Sequence, residues 1–249
     1  MSIELIIGLI LSWAIGFSLG LIGGGGSILT IPVLVYVMGV ETQEAISMSL
    51  AIVGVTSLIG AILHYKHVKL SSGALFGITG MVGAYLGSDL TYLVSPPTLL
   101  FIFAFLMLVI ALAMLLKSNG ENDIEPKKNS IVKSIIAGLL VGLLTGFLGV
   151  GGGFLIVPAL VFFGGLAMKD AIGTSLLVIT INCIAGLVGH LQHGFFNISL
   201  ATLVTIIAVL GVLIGTKLSH QISTTMLKKG FATFVILIAI FLIIKNNPF

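Results

Sequence analysis

The fold class predicted by this sequence is an all-α integral membrane protein made of two inverted repeats, each a glycine-broken helical hairpin followed by three transmembrane helices. Three observations predict it. Apolar residues fill 58% of the 249 positions, charged residues only 8%, and the mean hydropathy is +1.28. A soluble domain needs about a quarter of its residues charged, so the solvent for this surface is lipid. The apolar residues fall into runs separated by short polar breaks, and one pattern of glycine, proline and polar positions occurs twice.

The elements follow in order. Runs 45–64, 70–94, 97–116, 171–191, 196–219 and 226–244 approach or exceed the ~20 residues that a crossing helix needs. Runs 28–38 and 154–165 are about half a span, and each follows a longer apolar run, 3–21 or 131–148, and a glycine cluster. The opening MSIELIIGLILSW has no basic n-region, so it reads as a retained membrane segment rather than a cleaved signal. Residues 1–117 form the first repeat, 118–130 a polar linker loop, and 131–249 the second repeat. GLIGGGGSILTIPVL at 20–34 matches GFLGVGGGFLIVPAL at 146–160, and 44–67 matches 170–193. Gly83 and Gly87 match Gly211 and Gly215 after a two-residue offset. Glycine breaks at corresponding places in two halves point to a transporter-like repeat.

Lysines give the orientation. If each half begins with a hairpin that enters and leaves on one face and then crosses three times, ten of the eleven lysines share a side. Only Lys245 falls opposite, with Glu4, Glu41 and Glu44. The positive-inside rule makes the lysine side cytoplasmic. The linker is then cytoplasmic, both termini lie outside, and the second half is inverted because three crossings is an odd number. The expected location is the cytoplasmic membrane.

Glycine clusters of this density do not sit comfortably inside a helix, where each costs ~1 kcal/mol against alanine. Gly24, Gly25, Gly26 and Ser27, with Gly151, Gly152 and Gly153, are therefore read as breaks where backbone approaches a ligand. A short helix restarts after each, with Pro32 and Pro158 suited to its first turn and the restart nearer Thr30 and Ile156. Unpaired amides at a helix start hold anions without a basic side chain, which matters because the chain contains no arginine. Close packing through small residues is the competing reading.

Beside the breaks runs a polar stripe. Ser175, Ile179, Asn182, Gly186 and His190 step by four, three, four and four, so they share one helix face. Ser49, Val53, Thr56, Gly60 and His64 repeat the spacing. Thr56 and Asn182 fall near the midplane and are the leading substrate-binding side chains, with Ser49, Thr174 and Ser175 behind them; hydrogen bonding between helices alone is the plainer alternative. His64 and His190 sit near opposite interfaces, where they either carry protons or reach water. Asp89 and Lys217 occupy equivalent positions near helix ends, read as snorkelling charges or as a gate ion pair.

Much is excluded. One cysteine, Cys183, rules out an intrachain disulfide and any multi-cysteine metal site. No metal-ligand cluster, paired intramembrane carboxylates or nucleophile motif occurs, and GGGGS lacks the lysine of a phosphate loop. Neither an enzyme nor a cofactor is expected, and the lysines, scattered in loops, do not form a nucleic-acid surface. The partners expected are lipid and a small anion, with protons as a coupling ion.

With GFLGVGGGFLIVPAL followed by DAIGTSLLVITINCIAGLVGH, the chain resembles the TauE/SafE family of sulfite exporters and sulfonate permeases over most of its length. The first half departs from the pattern, with Ser47-Met48-Ser49 in place of Gly173-Thr174-Ser175 and Thr56 in place of Asn182. The resemblance implies a secondary transporter of sulfur-containing anions such as sulfite or sulfoacetate. A passive anion channel and a non-transporting membrane partner protein are the alternatives.

Overall fold

In hydrocarbon an unpaired amide costs several kcal/mol, so each apolar run closes its hydrogen bonds within itself. The computed structural model describes residues 3–116, 131–149, 151–219 and, toward the C-terminus, residues 233, 236, 237, 239, 240 and 242–244. Among these there is helix and turn but no strand. The linker 118–130, most of the last expected crossing 226–244, and Lys117, Lys127, Lys128, Lys228, Lys229 and Lys245 lie outside the described residues.

Helix α1 (Ile3–Ile22) ends at the first glycine cluster. A tight 3-10 turn (Gly25–Leu29), helix α2 (Thr30–Pro32) and a wider π turn (Val33–Val37) form the return limb. Helices α3 (Thr42–Leu63), α4 (Leu70–Thr91) and α5 (Pro96–Leu116) complete the first half. In the second half α6 (Ile131–Leu148) runs to the second cluster, α7 (Gly153–Phe162) returns, and α8 (Met168–Leu191) and α9 (Ile198–Ser219) follow. Among the described residues, α1, α3, α4, α6, α8 and α9 are long and apolar enough to cross a membrane. The outgoing limb of each hairpin is thus a full-length helix, and only the return limb is short.

Helix directions follow from which residues meet. Gly54 packs on Cys183, Gly60 on Leu176 and Gly186 on Leu50, so the equivalent helices α3 and α8 run antiparallel. Thr56 and Asn182 lie within two residues of the Gly54–Cys183 crossing. Gly16 packs on Ala208 and Gly20 on Val212, so α1 and α9 run parallel. Helix α6 lies parallel to α4 in the same way, Gly142 against Gly80 and Gly146 against Ala84. At these positions backbone touches backbone: a Cβ on Gly142 would stand 2.5 Å from the Gly80 Cα. Lipid supplies no hydrophobic drive between helices, so contact this close supplies the dispersion energy that holds them. Each half therefore packs its first helix on the other half. The core is shared accordingly, with Leu19, Ile28 and Phe76 from one half and Leu148, Ile156 and Leu176 from the other in one buried cluster.

Candidate functional site

The two hairpin tips are built alike. The Gly23 N–H bonds the Leu19 carbonyl at 2.9 Å, and the Gly149 N–H bonds Thr145 at 2.8 Å. Gly23 has φ +85° and Gly149 φ +68°, left-handed values that end a helix and that glycine adopts without a Cβ penalty. Each tip reaches the second turn of a facing helix: Gly23 abuts Ile172 of α8, and Gly149 abuts Ile46 of α3. From there the chain steps back. Gly151 lies against Val53, Cys183 and Ile179, at the middle of α3 and α8. Gly24 and Gly153 then meet backbone to backbone, a Cβ on Gly153 falling 2.6 Å from the Gly24 Cα. The return limbs of both hairpins start around this contact.

The restarts differ between halves. In the second, Gly152 is left-handed (φ +64°) and caps α7 directly, its carbonyl taking the N–H groups of Leu155 and Ile156 at 2.9 and 3.0 Å. Helix therefore begins at Gly153 rather than near Ile156, and Pro158 sits inside α7 instead of in its first turn. In the first half Gly24 is not left-handed (φ −156°), so the chain passes through the 3-10 turn before α2 begins at Thr30, as expected. Ser27 spends its hydroxyl on the Gly24 carbonyl at 2.8 Å, and Gly26 packs on Ile15 and Leu19 of its own hairpin.

The stripe residues have distinct surroundings. Asn182 is buried with neither amide atom hydrogen-bonded, pressed against Gly80, whose Cβ would lie 2.5 Å from its Oδ1. Ser49 is buried with an unpartnered hydroxyl. Thr56 and Ser175 are buried too, but each hydroxyl turns back onto its own helix, Thr56 to Ile52 at 2.7 Å and Ser175 to Ile172 at 2.7 Å. Thr174 leaves the group. Its hydroxyl takes the Lys69 N–H at 2.9 Å and so anchors the α3–α4 loop.

Both stripe histidines are buried. His64 is buried, with Nδ1 3.0 Å from the Gly60 carbonyl. His190 is fully buried, with Nε2 2.9 Å from the Gly146 carbonyl and Nδ1 3.1 Å from the Tyr92 hydroxyl. Burial, and then the Asp89 carboxylate, hold the Tyr92 phenol above its ordinary range, so it stays protonated. Asp89 and Lys217 are not brought together. Asp89 stands 3.8 Å from His193, while Lys217 is exposed in the last turn of α9.

Several contributors went unmarked by the sequence pattern. Thr30, Ser57 and Thr216 are buried with unpartnered hydroxyls; Ser57 is next to the stripe and Thr30 follows the glycine cluster, which were the available signals. Asp170, at the start of α8, holds both Lys69 and His67 at 3.2 Å. At its equivalent position, Glu44 takes the Asn197 N–H at 2.9 Å. Because the Asp170 pairs are partly exposed, Asp170→Asn lowers stability by less than about 1 kcal/mol. Hydrogen exchange checks it: protection across 64–69 falls several-fold, while the melting temperature drops no more than about 4 °C.

Chemically, the surroundings of the Gly24–Gly153 contact offer backbone dipoles and neutral amide and hydroxyl groups. Among the described residues no cluster of His, Cys, Asp and Glu is placed to hold a metal.

The chain is similar to known membrane proteins. The family profile described as Sulfite exporter TauE/SafE matches residues 8–242. A probable membrane transporter protein of Xylella fastidiosa (strain Temecula1 / ATCC 700964) is 35% identical over 240 residues, 93% of this chain and 92% of that protein. The probable membrane transporter protein YdhB of Bacillus subtilis (strain 168) is 25% identical over 229 residues, covering 89% and 93%. A probable membrane transporter protein of Haemophilus influenzae (strain ATCC 51907 / DSM 11121 / KW20 / Rd) is 28% identical over 256 residues, covering 92% and 94%. No solved structure matches the chain.

Proposed function

Because this chain belongs to the sulfite exporter TauE/SafE family, we propose that it is a secondary carrier of small sulfur-containing anions, sulfite or an organosulfonate such as sulfoacetate. Multi-pass membrane transport, not catalysis, is what the family and the relatives have in common.

The observation that carries the reading is the meeting of Gly24 and Gly153. Two broken hairpins bring the beginnings of their return limbs to one place, and the start of α7 at Gly153 favours negative charge. Asn182 and Ser49, buried with unsatisfied polar atoms, add the neutral donors that such an anion needs. The antiparallel run of α3 and α8 and the parallel pairing of α1 with α9 support an inverted repeat, in which rocking of one half against the other exposes the site alternately. Backbone contact at the tips fits a carrier with a closed centre better than an open anion channel.

Proton coupling through His64 or His190 belongs to the same reading. So does a cytoplasmic membrane location, with the Lys69 end of the bundle facing the cytoplasm and the termini outside. Purified protein in liposomes is expected to take up radiolabelled sulfite or sulfoacetate saturably and without unitary current steps. Absence of saturable flux for every sulfur oxyanion tried would reject the assignment.

A further inference from the structure

We propose that Nδ1 of His190 is the proton-binding atom of this carrier and that Tyr92 is the positioning residue that switches with it; this rests on the anion-carrier reading above. The Gly146 carbonyl can only accept, so the His190 Nε2 facing it at 2.9 Å carries hydrogen in both charge states of the ring. Neutral His190 then has its lone pair at Nδ1, and the Tyr92 hydroxyl donates to it across 3.1 Å. When a proton arrives, Nδ1 becomes a donor and the Tyr92 oxygen accepts. The phenol hydrogen has a second acceptor waiting, the His190 carbonyl at 3.5 Å. Neither state strands a buried donor, which at a fully buried ring is the condition for holding charge there at all.

The same cluster leads to water. Tyr92 stacks on His193 with ring centroids 3.9 Å apart and planes 14° from parallel. His193 Nε2 stands 3.8 Å from Asp89, whose side chain is 61% exposed. The titratable and charged groups at this end are few. Helix α4 and its C-terminal cap contribute Tyr85, Asp89 and Tyr92, Tyr85 taking the Gln192 amide at 3.0 Å. Helix α8 and the turn after it contribute His190 and His193. Helix α3 contributes Glu44, engaged by the Asn197 N–H, and α6 offers the Gly146 and Phe147 carbonyls. Asp89 and Glu44 are both acidic, and His193 is the neighbouring group here that can carry the same charge as a protonated His190.

Gly146 lies three residues before Gly149, in the last turn of α6 where the hairpin breaks. A proton on His190 therefore strengthens the bond to the hairpin tip and sets a positive charge beside it, in a chain without arginine. Anion and proton then bind each other's state more tightly by the same factor.

The test uses sulfate and ethanesulfonate, whose own charge is constant between about pH 5.5 and 8.5, the window of an imidazole. Calorimetric affinity of the wild type is expected to rise about tenfold from the alkaline to the acid end. His190→Gln flattens the profile. Tyr92→Phe, which deprives the charged ring of its acceptor, moves the midpoint about one pH unit toward acid. A wild-type affinity independent of pH, a His190→Gln variant that keeps the slope, or a Tyr92→Phe curve that overlies the wild type overturns the proton site and leaves the carrier standing. No binding of any sulfur oxyanion at any pH removes both. Nitrogen NMR of labelled histidine in the ligand-free protein adds a substrate-independent check: His190 as the Nε2–H tautomer in alkali supports the assignment, and the Nδ1–H tautomer overturns it.

Discussion

Gly153→Ala abolishes transport, with flux in liposomes falling at least about a hundredfold, and Gly24→Ala does the same. A Cβ at Gly153 would stand 2.6 Å from both the Cα and the carbonyl oxygen of Gly24 and 2.8 Å from the Ile179 Cδ1. Two of those atoms are backbone, which no rotamer change can clear, so the hairpin tips must separate. Overpacking of this kind costs typically 1–3 kcal/mol or more. The control is Gly39→Ala. Gly39, unlike Gly24 and Gly153, is left-handed, φ +71°, but nothing lies within 4 Å of its would-be Cβ. That substitution carries only the backbone penalty of about 1–2 kcal/mol, and flux per folded molecule stays near wild type. Equal losses at Gly39 and Gly153 would mean that the tip contact has no special part in transport.

Asn182→Leu separates stability from activity. An amide buried with neither end hydrogen-bonded carries a desolvation penalty of about 1–3 kcal/mol, and leucine has similar size without it. The variant is expected to melt several degrees above wild type while its flux drops at least about tenfold. Asn182→Ala raises the half-saturation concentration with less effect on folding. A leucine variant that transports normally would remove Asn182 from the site, and one that melts lower would mean the amide has a structural partner.

Much of this was legible in the residues because bilayer physics leaves few options. Glycine clusters followed by a proline and a half-length run had to be breaks, and Gly23 and Gly149 took up the left-handed turns that glycine permits. The stepping of Ser175, Asn182 and His190 marked one helix face, and Asn182 and Thr56 lie within two residues of the Gly54–Cys183 contact. The destination of each polar atom was not legible. Threonine and serine in a helix choose between a neighbouring helix and their own carbonyl three or four residues back, and Thr56 and Ser175 took the local option. Thr174 adjoins the stripe in sequence yet faces the α3–α4 loop. Tyr92, at the end of an apolar run, has the pattern of an interfacial aromatic, and only the packing of α4 on α8 brings it to His190. The αL cap at Gly152, which advanced the start of α7 and left Pro158 in its interior, depends on a backbone angle that glycine permits but does not impose.

The pairing of α1 with α9 has a consequence for biogenesis. Gly16 and Gly20 find Ala208 and Val212 only after almost two hundred further residues have left the ribosome. At about 5–20 residues per second, the notched flank of the first helix waits roughly 10–40 seconds among lipids or in the care of an insertase before its mate appears. A nascent chain halted in the linker would carry that flank uncovered, which marks truncated products for membrane quality control before they ever resemble a finished carrier.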